Sequence, residues 1–287
     1  MNSPSYLPFT PANRPAKYPL PKGSCDCHFH IFEGESIHPY ATPRSYTPTP
    51  ATQADHRQLC DTLGIERAVL VHPSVYGRDH QSFEDALSKN ASWMRGVAVA
   101  YADSTEAQIA RWDALGARGT RCNALFAGGA ALGDLARIAD RVRPFEWHLQ
   151  LLIDVSTDPT TLSKVVDFGL PVVVDHLGHV EADKALTSPG FANMISLLRE
   201  GQIWVKLSGA YRVSAQRKGF SDVGPMAEAL VKANINQLVW GSDWPHPAIA
   251  PPMPEEDDLV ATLFAWLNED ERQKVLVNNP DRLYWSR

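Results

Sequence analysis

Hydrophobic positions along this chain fall into short apolar runs that alternate with longer segments in which apolar residues recur at helical spacing. The short runs predict strands, because apolar residues occupy every second position of a strand with one buried face and nearly every position of a strand buried on both faces. The strands are expected at residues 24–32, 66–72, 94–101, 117–123, 148–153, 171–176, 203–208 and 237–242. The amphipathic segments predict helices near 52–63, 80–90, 104–115, 131–142, 158–167, 188–200, 222–233 and 256–268.

This regular alternation predicts an α/β protein built as a (β/α)8 TIM barrel. Fully apolar runs such as Val172-Val173-Val174 are typical of parallel strands that helices cover. A doubly wound open sheet is the alternative, but the chain carries neither a glycine-rich dinucleotide motif nor a phosphate-binding loop motif. Residues 24–287 are therefore predicted to form one barrel domain.

Residues 1–23 differ from the rest in being rich in proline and in lacking any strand or helix periodicity. The pattern predicts an extended N-terminal arm that lies over the barrel. A disordered tail is the other interpretation.

Length and charge restrict the partners. The 287 residues suit one barrel of ~250 residues plus an arm. With 27 basic and 33 acidic residues and no basic run, the chain is not expected to bind nucleic acid. An anionic small molecule stays possible, because a few arginines inside a pocket can bind one. No signal-peptide pattern and no apolar run of ~18 residues is present, so a cytoplasmic protein without a membrane partner is expected. Nothing in the sequence indicates an oligomeric state.

The cysteines do not suggest a disulfide framework or a zinc finger. Cys25, Cys27, Cys60 and Cys122 form no CxxC pair, and the first two are expected on one side of the first strand.

Three strand ends carry residues suited to chemistry. His28 and His30 stand one residue apart in the first strand, so their side chains share a face. His176 follows the sixth strand, and Asp243 follows the eighth. Each could be structural, as a core histidine or a loop cap. In a barrel, however, these strand ends meet at one mouth, where barrel enzymes keep their active sites.

Four motifs resemble the amidohydrolase superfamily, and more narrowly the branch that contains the 2-pyrone-4,6-dicarboxylate lactonases. They are Cys27-His28-Phe29-His30, Asp175-His176-Leu177-Gly178, Val205-Lys206-Leu207-Ser208-Gly209 and Trp240-Gly241-Ser242-Asp243-Trp244-Pro245. The resemblance extends from about Pro19 to Trp285.

The resemblance implies roles for individual positions. His28, His30 and His176 would polarise a lactone carbonyl, and Asp243 would activate the attacking water. Arg121 and Arg212 would bind substrate carboxylates, and Tyr46 and Ser74 match further substrate-contacting positions. His179 stands where family members can carry an arginine, and we include it among the substrate-binding candidates. His246 could donate to a substrate oxygen or brace its loop.

The chain also departs from the lactonase pattern. The loop at residues 125–130 lacks an arginine, His179 replaces another, and Leu152 and Ile153 occupy the place of a tyrosine. These differences leave the reaction class in place and indicate a lactone with one acid group or with a different arrangement of acid groups.

A two-metal centre is not expected, since the fourth strand offers Arg121 and Asn123 and the fifth offers only leucine and isoleucine at its end. One zinc ion held by His28, His30, His176 and Asp243 is possible. The nearby arginine and the resemblance both favour a site without metal.

The predicted function is hydrolytic opening of a carboxylated lactone such as 2-pyrone-4,6-dicarboxylate in the degradation of aromatic compounds. The alternatives are a sugar-lactone hydrolase or isomerase, a metal-dependent decarboxylase of an unsaturated or aromatic acid, and a barrel that has lost activity and acts as a scaffold.

Overall fold

Eight strands form one parallel sheet in sequence order in the computed structural model, which describes residues 6–12, 17–249 and 252–286. The strands are β1 (Cys25–Phe29), β2 (Arg67–Val71), β3 (Met94–Ala98), β4 (Ala117–Asn123), β5 (His148–Leu152), β6 (Val172–Val174), β7 (Ile203–Leu207) and β8 (Leu238–Trp240). The helices are α1 (Gln53–Leu63), α2 (Gln81–Asn90), α3 (Glu106–Ala114), α4 (Leu135–Val142), α5 (Thr161–Val166), α6 (Ala182–Ala185), α7 (Pro189–Arg199), α8 (Ala210–Val213), α9 (Gly224–Asn234), α10 (Glu256–Trp266) and α11 (Glu269–Gln273).

The first strand and the segment after the last one close the barrel. The backbone N–H of Asp243 donates to the carbonyl of His28 at 2.8 Å, and the N–H of His30 donates to the carbonyl of Trp244 at 2.8 Å. Gly241 allows this close approach, because a Cβ there would lie 2.5 Å from the Cβ of His28. The predicted (β/α)8 barrel is therefore confirmed.

A buried carboxylate reinforces this closure. Asp26 accepts hydrogen bonds from the backbone N–H of Ser242 at 2.9 Å and from its hydroxyl at 2.6 Å. The His56 side chain of α1 lies 3.2 Å from the same carboxylate. One acidic residue of β1 thus connects the first strand, the last strand and the first helix.

The strands end earlier than the sequence predicts. β1 stops at Phe29, β6 at Val174 and β8 at Trp240, so His30, His176 and Asp243 stand in the loops that follow. The short helices α6, α8 and α11 were not predicted, because segments of four or five residues carry no measurable helical periodicity. Two π-helical segments, Lys274–Asn278 and Asp281–Trp285, complete the C-terminal region.

A one-residue irregularity in β1 sets the direction of its histidines. Asp26 pairs with Ala68 of β2, whereas Phe29 pairs with Leu70, so β1 has one extra residue. Such a bulge reverses the alternation of side chains. Cys25 and Cys27 consequently face the barrel interior at its base, and His28 and His30 face the same interior near its mouth.

The lower interior is an apolar cluster separate from the core between sheet and helices. Its members are Cys25, Cys27, Val69, Val71, Val97, Val173, Trp204, Val239, Leu283 and Tyr284. Leu283 and Tyr284 belong to the C-terminal π-helical segment, which covers the base of the barrel. Cys25, Cys27, Cys60 and Cys122 are buried free thiols.

The described parts of the proline-rich N-terminal segment run along the barrel without regular structure. The Phe9 ring lies 4.8 Å from the Trp244 ring, and the N–H of Leu20 donates to the carbonyl of Leu63 at 3.4 Å. Residues 1–5 and 13–16, which belong to the predicted arm, lie outside the described residues. Within the described ranges, the structure contains no helix of the length and apolarity needed to cross a membrane.

Candidate active site

A cavity opens to solvent at the C-terminal ends of the strands, and the empty space in it amounts to about 320 Å³ when open solvent is included. Eight of the ten residues that the sequence singles out line it: His30, Tyr46, Ser74, Arg121, His176, His179, Arg212 and Asp243. His28 lies directly behind His30, and His246 lies behind Tyr211, so neither belongs to the cavity lining. The fold thus brings together loops that follow six different strands.

The two histidines of β1 are in contact with each other. Their Nε2 atoms lie 3.3 Å apart, and Nδ1 of His30 lies 2.7 Å from the carbonyl oxygen of Val71. Because a carbonyl only accepts, His30 carries its proton on Nδ1. Burial and the nearby Arg121 lower the pKa of His30 to about 4, so the ring is neutral at pH 7 and its Nε2 is an acceptor.

His176 approaches the same point from the other side of the cavity. Its Nδ1 lies 2.9 Å from the hydroxyl of Ser208, and its Nε2 lies 3.7 Å from Oδ2 of Asp243. Burial lowers the pKa of His176 to about 3, although the Asp243 carboxylate opposes this shift. The carboxylate opposite Nε2 favours a neutral ring with its proton on that atom.

Asp243 provides the carboxylate of the site. Its Oδ2 accepts hydrogen bonds of 2.6 Å from the Tyr211 hydroxyl and 2.6 Å from Nε of Arg212. Its Oδ1 has no hydrogen-bond partner among the described residues and lies 3.9 Å from Nε2 of His28. Burial acts to raise the pKa of Asp243, but Arg212 and the histidines hold it well below its usual range. Asp243 is thus an ionised base with one free oxygen.

The backbone at two of these residues is strained. Asp243 has a φ of +62° and His176 a φ of +49°, in the left-handed region that residues other than glycine rarely adopt. Strained backbone of this kind concentrates at functional sites. Both side chains owe their direction into the cavity to these turns.

A second buried carboxylate, Asp175, was not predicted as a site residue. Its Oδ2 accepts from Nε of Arg121 at 2.8 Å and from the amide of Gln150 at 3.1 Å. The ammonium of Lys206 lies 3.5 Å from its Oδ1. Burial acts to raise the pKa of Asp175, but Lys206 and Arg121 keep it well below its usual range. These polar residues form a layer between the cavity and the apolar base of the barrel.

Lys206 is the least expected member of this layer, since it is fully buried. It donates to the carbonyl of Cys27 at 2.9 Å and to the side-chain oxygen of Gln150 at 2.8 Å, and lies 3.2 Å from Nδ1 of His28. A lysine inside the apolar strand Ile203–Leu207 was the sequence signal for it. A buried lysine is rare unless it is paired.

His246 connects the site to the surface side of the barrel. Its Nδ1 lies 3.3 Å from the Tyr211 hydroxyl and its Nε2 lies 2.7 Å from Oε1 of Glu256. This geometry matches the loop-bracing alternative considered for it. Tyr211, which touches Asp243 directly, was not identified from the sequence.

The three departures from the lactonase pattern all meet at the cavity wall. Phe126, His179 and Leu152 line it at the positions in question. Burial and the charge of Arg212 lower the pKa of His179, so this residue adds no cation at neutral pH. The cavity lining therefore includes two guanidinium groups, Arg121 of β4 and Arg212 of α8, together with the apolar side chains of Phe126 and Leu152.

The chain belongs to the amidohydrolase family, because the family model, described as amidohydrolase, matches residues 25–285. The barrel and its cluster of histidines and an aspartate agree with this membership. This chain is 33% identical over 281 residues to 4-sulfomuconolactone hydrolase of Rhizobium radiobacter, and the match covers 94% of this chain and 92% of that one. It is 31% identical to 2-pyrone-4,6-dicarboxylate hydrolase of Comamonas testosteroni, with the same shares covered. A crystal structure of a candidate 2-pyrone-4,6-dicarboxylic acid hydrolase from Acinetobacter baumannii, with citric acid bound, superimposes with a TM-score of 0.79 at 25% identity, covering 91% of this chain and 99% of that one.

Enzymes of this superfamily typically depend on metal ions. His28, His30 and Asp243 offer ligand atoms that lie within 4.8 Å of one another, and the free Oδ1 of Asp243 is one of the available donors. By position and donor type these three residues fit one divalent cation. Arg121, Arg212 and Lys206 place positive charges close to the same point, which opposes a second positive centre.

Proposed function

We propose that this protein hydrolyses a lactone that carries at least one acid group, in the degradation of aromatic compounds. The observation that carries this proposal is the ionised Asp243, whose free Oδ1 faces a cluster of neutral imidazoles inside a cavity that also contains two arginines. Hydrolysis of an ester needs a base for water and donors for the oxyanion, and this arrangement supplies both. The relatives named above are lactone hydrolases.

In the proposed reaction, Oδ1 of Asp243 removes a proton from a water molecule while the oxygen of that water attacks the lactone carbonyl carbon. The tetrahedral oxyanion is stabilised by the Nε2–H group of His176, which lines the cavity. The ring C–O bond then breaks, and the protonated Asp243 returns its proton to the leaving oxygen. The product carries one new carboxyl group, which ionises in water. His30, whose Nε2 is an acceptor, orients its neighbour or the attacking water.

Binding of the acid group falls to Arg121 and Arg212. Arg121 uses Nε for Asp175, and Arg212 uses Nε for Asp243 and one terminal nitrogen for the carbonyl of Pro247. Both side chains line the cavity, and we propose that their other N–H groups bind the acid group there. Because Phe126 and Leu152 supply apolar wall, we propose a substrate with one strongly bound acid group and an apolar or weakly polar remainder.

We further propose that the reaction proceeds without a metal ion. The support is the charge of the site, where Lys206 and two arginines lie close to the histidines and aspartates that could hold a cation. If zinc were bound by His28, His30 and Asp243, it would supply Lewis-acid polarisation of the carbonyl.

The test is ring opening by chelator-treated protein, measured as loss of the ultraviolet absorbance of 2-pyrone-4,6-dicarboxylate. Muconolactones with one or two acid groups and uncharged sugar lactones serve as comparison substrates. We expect metal-independent opening of at least one acidic lactone and none of the uncharged ones. Activity that returns only after zinc is restored would overturn the metal-free reaction, and the absence of any lactone opening in both conditions would overturn the proposed function.

A further inference from the structure

Two groups of opposite character meet at Nδ1 of His28. The ammonium of Lys206, which only donates, lies at 3.2 Å, and Oδ1 of Asp175, which only accepts, lies at 3.3 Å. A neutral imidazole carries one proton, so this nitrogen can satisfy only one of them. Which one it satisfies determines whether the opposite nitrogen, Nε2, presents a proton or a lone pair to His30.

The hydrogens of Lys206 favour the arrangement in which Nδ1 of His28 accepts a hydrogen bond from the ammonium. An ammonium has three N–H bonds, and two of them are used by the carbonyl of Cys27 and the side chain of Gln150. The third has His28 at 3.2 Å and Asp175 at 3.5 Å as its choices, and the nitrogen is the nearer. A lone pair on Nδ1 of His28 therefore completes the bonding of a fully buried cation.

The contact with His30 leads to the same assignment independently. His30 donates from Nδ1 to Val71, so its Nε2 is a lone pair that lies 3.3 Å from Nε2 of His28. If His28 also presented a lone pair there, two acceptors would face each other. A proton on Nε2 of His28 converts that contact into a hydrogen bond. One unbroken series then runs from Lys206 through His28 and His30 to the carbonyl of Val71.

We propose that Lys206 is a positioning residue that fixes the proton of His28 on Nε2, where it is donated to His30, and that it thereby makes the histidine pair a poor metal site. Metal-binding histidines usually donate their second nitrogen to a carboxylate. Asp175 stands ready for that role, and Lys206 competes with it for the same atom. Neither the tautomer nor the metal preference depends on the proposed function.

The first experiment is a long-range ¹H–¹⁵N spectrum of the full-length protein labelled in histidine, after chelator treatment. The resonances of His28 are assigned by their loss in the His28→Gln variant. We expect a neutral ring with the proton on Nε2. A His28 ring protonated on Nδ1 in the chelator-treated protein would overturn the inference, whatever the protein does to lactones.

The second experiment compares Lys206→Met with Arg121→Met. Both variants remove one buried cation that contacts Asp175, but only the first removes the donor to His28. In Lys206→Met we expect the proton to move to Nδ1, directed to Asp175, and the affinity for zinc to rise about 10- to 100-fold over that of the unmodified protein. In Arg121→Met we expect His28 to keep its proton on Nε2.

These outcomes are separable from those of the proposed function. Equal tightening of zinc binding in both variants would show that charge alone repels the metal, and would overturn the role of Lys206. If Lys206→Met does not fold, the spectrum of the unmodified protein still decides the tautomer. A protein that opens no lactone but shows the Nε2 proton would refute the proposed function and leave this inference standing.

Discussion

Replacement of Asp243 by asparagine tests the proposed base most directly. Asparagine keeps the size of the side chain and an oxygen for the Tyr211 hydroxyl and for Nε of Arg212, which both lie 2.6 Å from Oδ2 now. It puts an amide nitrogen where the free Oδ1 stands, and that nitrogen cannot accept a proton from water. General-base catalysis contributes about 10²- to 10⁴-fold, so kcat should fall by that factor, which corresponds to about 3–5 kcal/mol in the barrier.

The same substitution affects substrate binding in the opposite direction. The guanidinium of Arg212 loses its ionised partner and becomes freer to bind a substrate carboxylate, so KM should stay the same or decrease. Removing one member of a buried ion pair also destabilises the fold, by about 3–5 kcal/mol when the remaining charge has no other partner. Thermal unfolding with and without substrate separates this loss of stability from the loss of turnover.

The assay is the ring-opening rate of the preferred lactone, with kcat and KM determined separately. Asp154→Asn is the matched control, because Asp154 follows β5 at the same end of the barrel and its carboxylate only caps a turn through Ser156. We expect the control to keep kcat within about twofold, as surface substitutions usually change little. An Asp243→Asn variant that folds and retains near-normal kcat would refute the assignment of the base.

Two further predictions concern binding and stability. Arg121→Met should lower kcat/KM for an acidic lactone about 10- to 100-fold, because a hydrogen bond to a charged group contributes about 1.5–3 kcal/mol. The loss should come mainly from a higher KM. An unchanged KM in steady-state kinetics would make Arg121 purely structural. Burial lowers the pKa of His30 and of His80 to about 4 from 6.5, so these rings are neutral in the folded state while the unfolded chain binds protons below pH 6.5. The free energy of unfolding, measured with denaturant, should therefore decrease as pH falls from 6.5 toward 4, by about 1.4 kcal/mol per pH unit for each ring. A constant free energy of unfolding across that range would contradict these pKa shifts.

Much of the fold could be predicted from the sequence, because a parallel barrel leaves a strong and regular pattern. Runs such as Val172–Val174 are buried on both faces, and each is followed by an amphipathic helix. The ends of the strands were less predictable. Positive φ values at His176 and Asp243 are imposed by the tertiary contacts of their loops, and local propensity does not favour them.

The part of the site that sequence reasoning missed lies beneath the cavity. Asp175, Lys206 and Gln150 interact across three strands, and the distance of these residues along the chain gives no indication of that contact. The bulge in β1 was also not predictable from the sequence. Simple alternation places His28 on the face opposite Cys27, whereas the extra residue turns both toward the interior.

The charge balance of this layer and the cavity wall supports the proposed anionic substrate. Lys206, Arg121 and Arg212 are cations, Asp175 and Asp243 are anions, and burial keeps the histidines beside them neutral. Three positive and two negative groups leave one net positive charge in a region shielded from water. An acid group on the substrate neutralises this charge, whereas a divalent cation would raise it to three. These charges support the proposed carboxylate-bearing substrate, and Lys206, which lies beneath the cavity, adds to the positive charge of Arg121 and Arg212 at its wall.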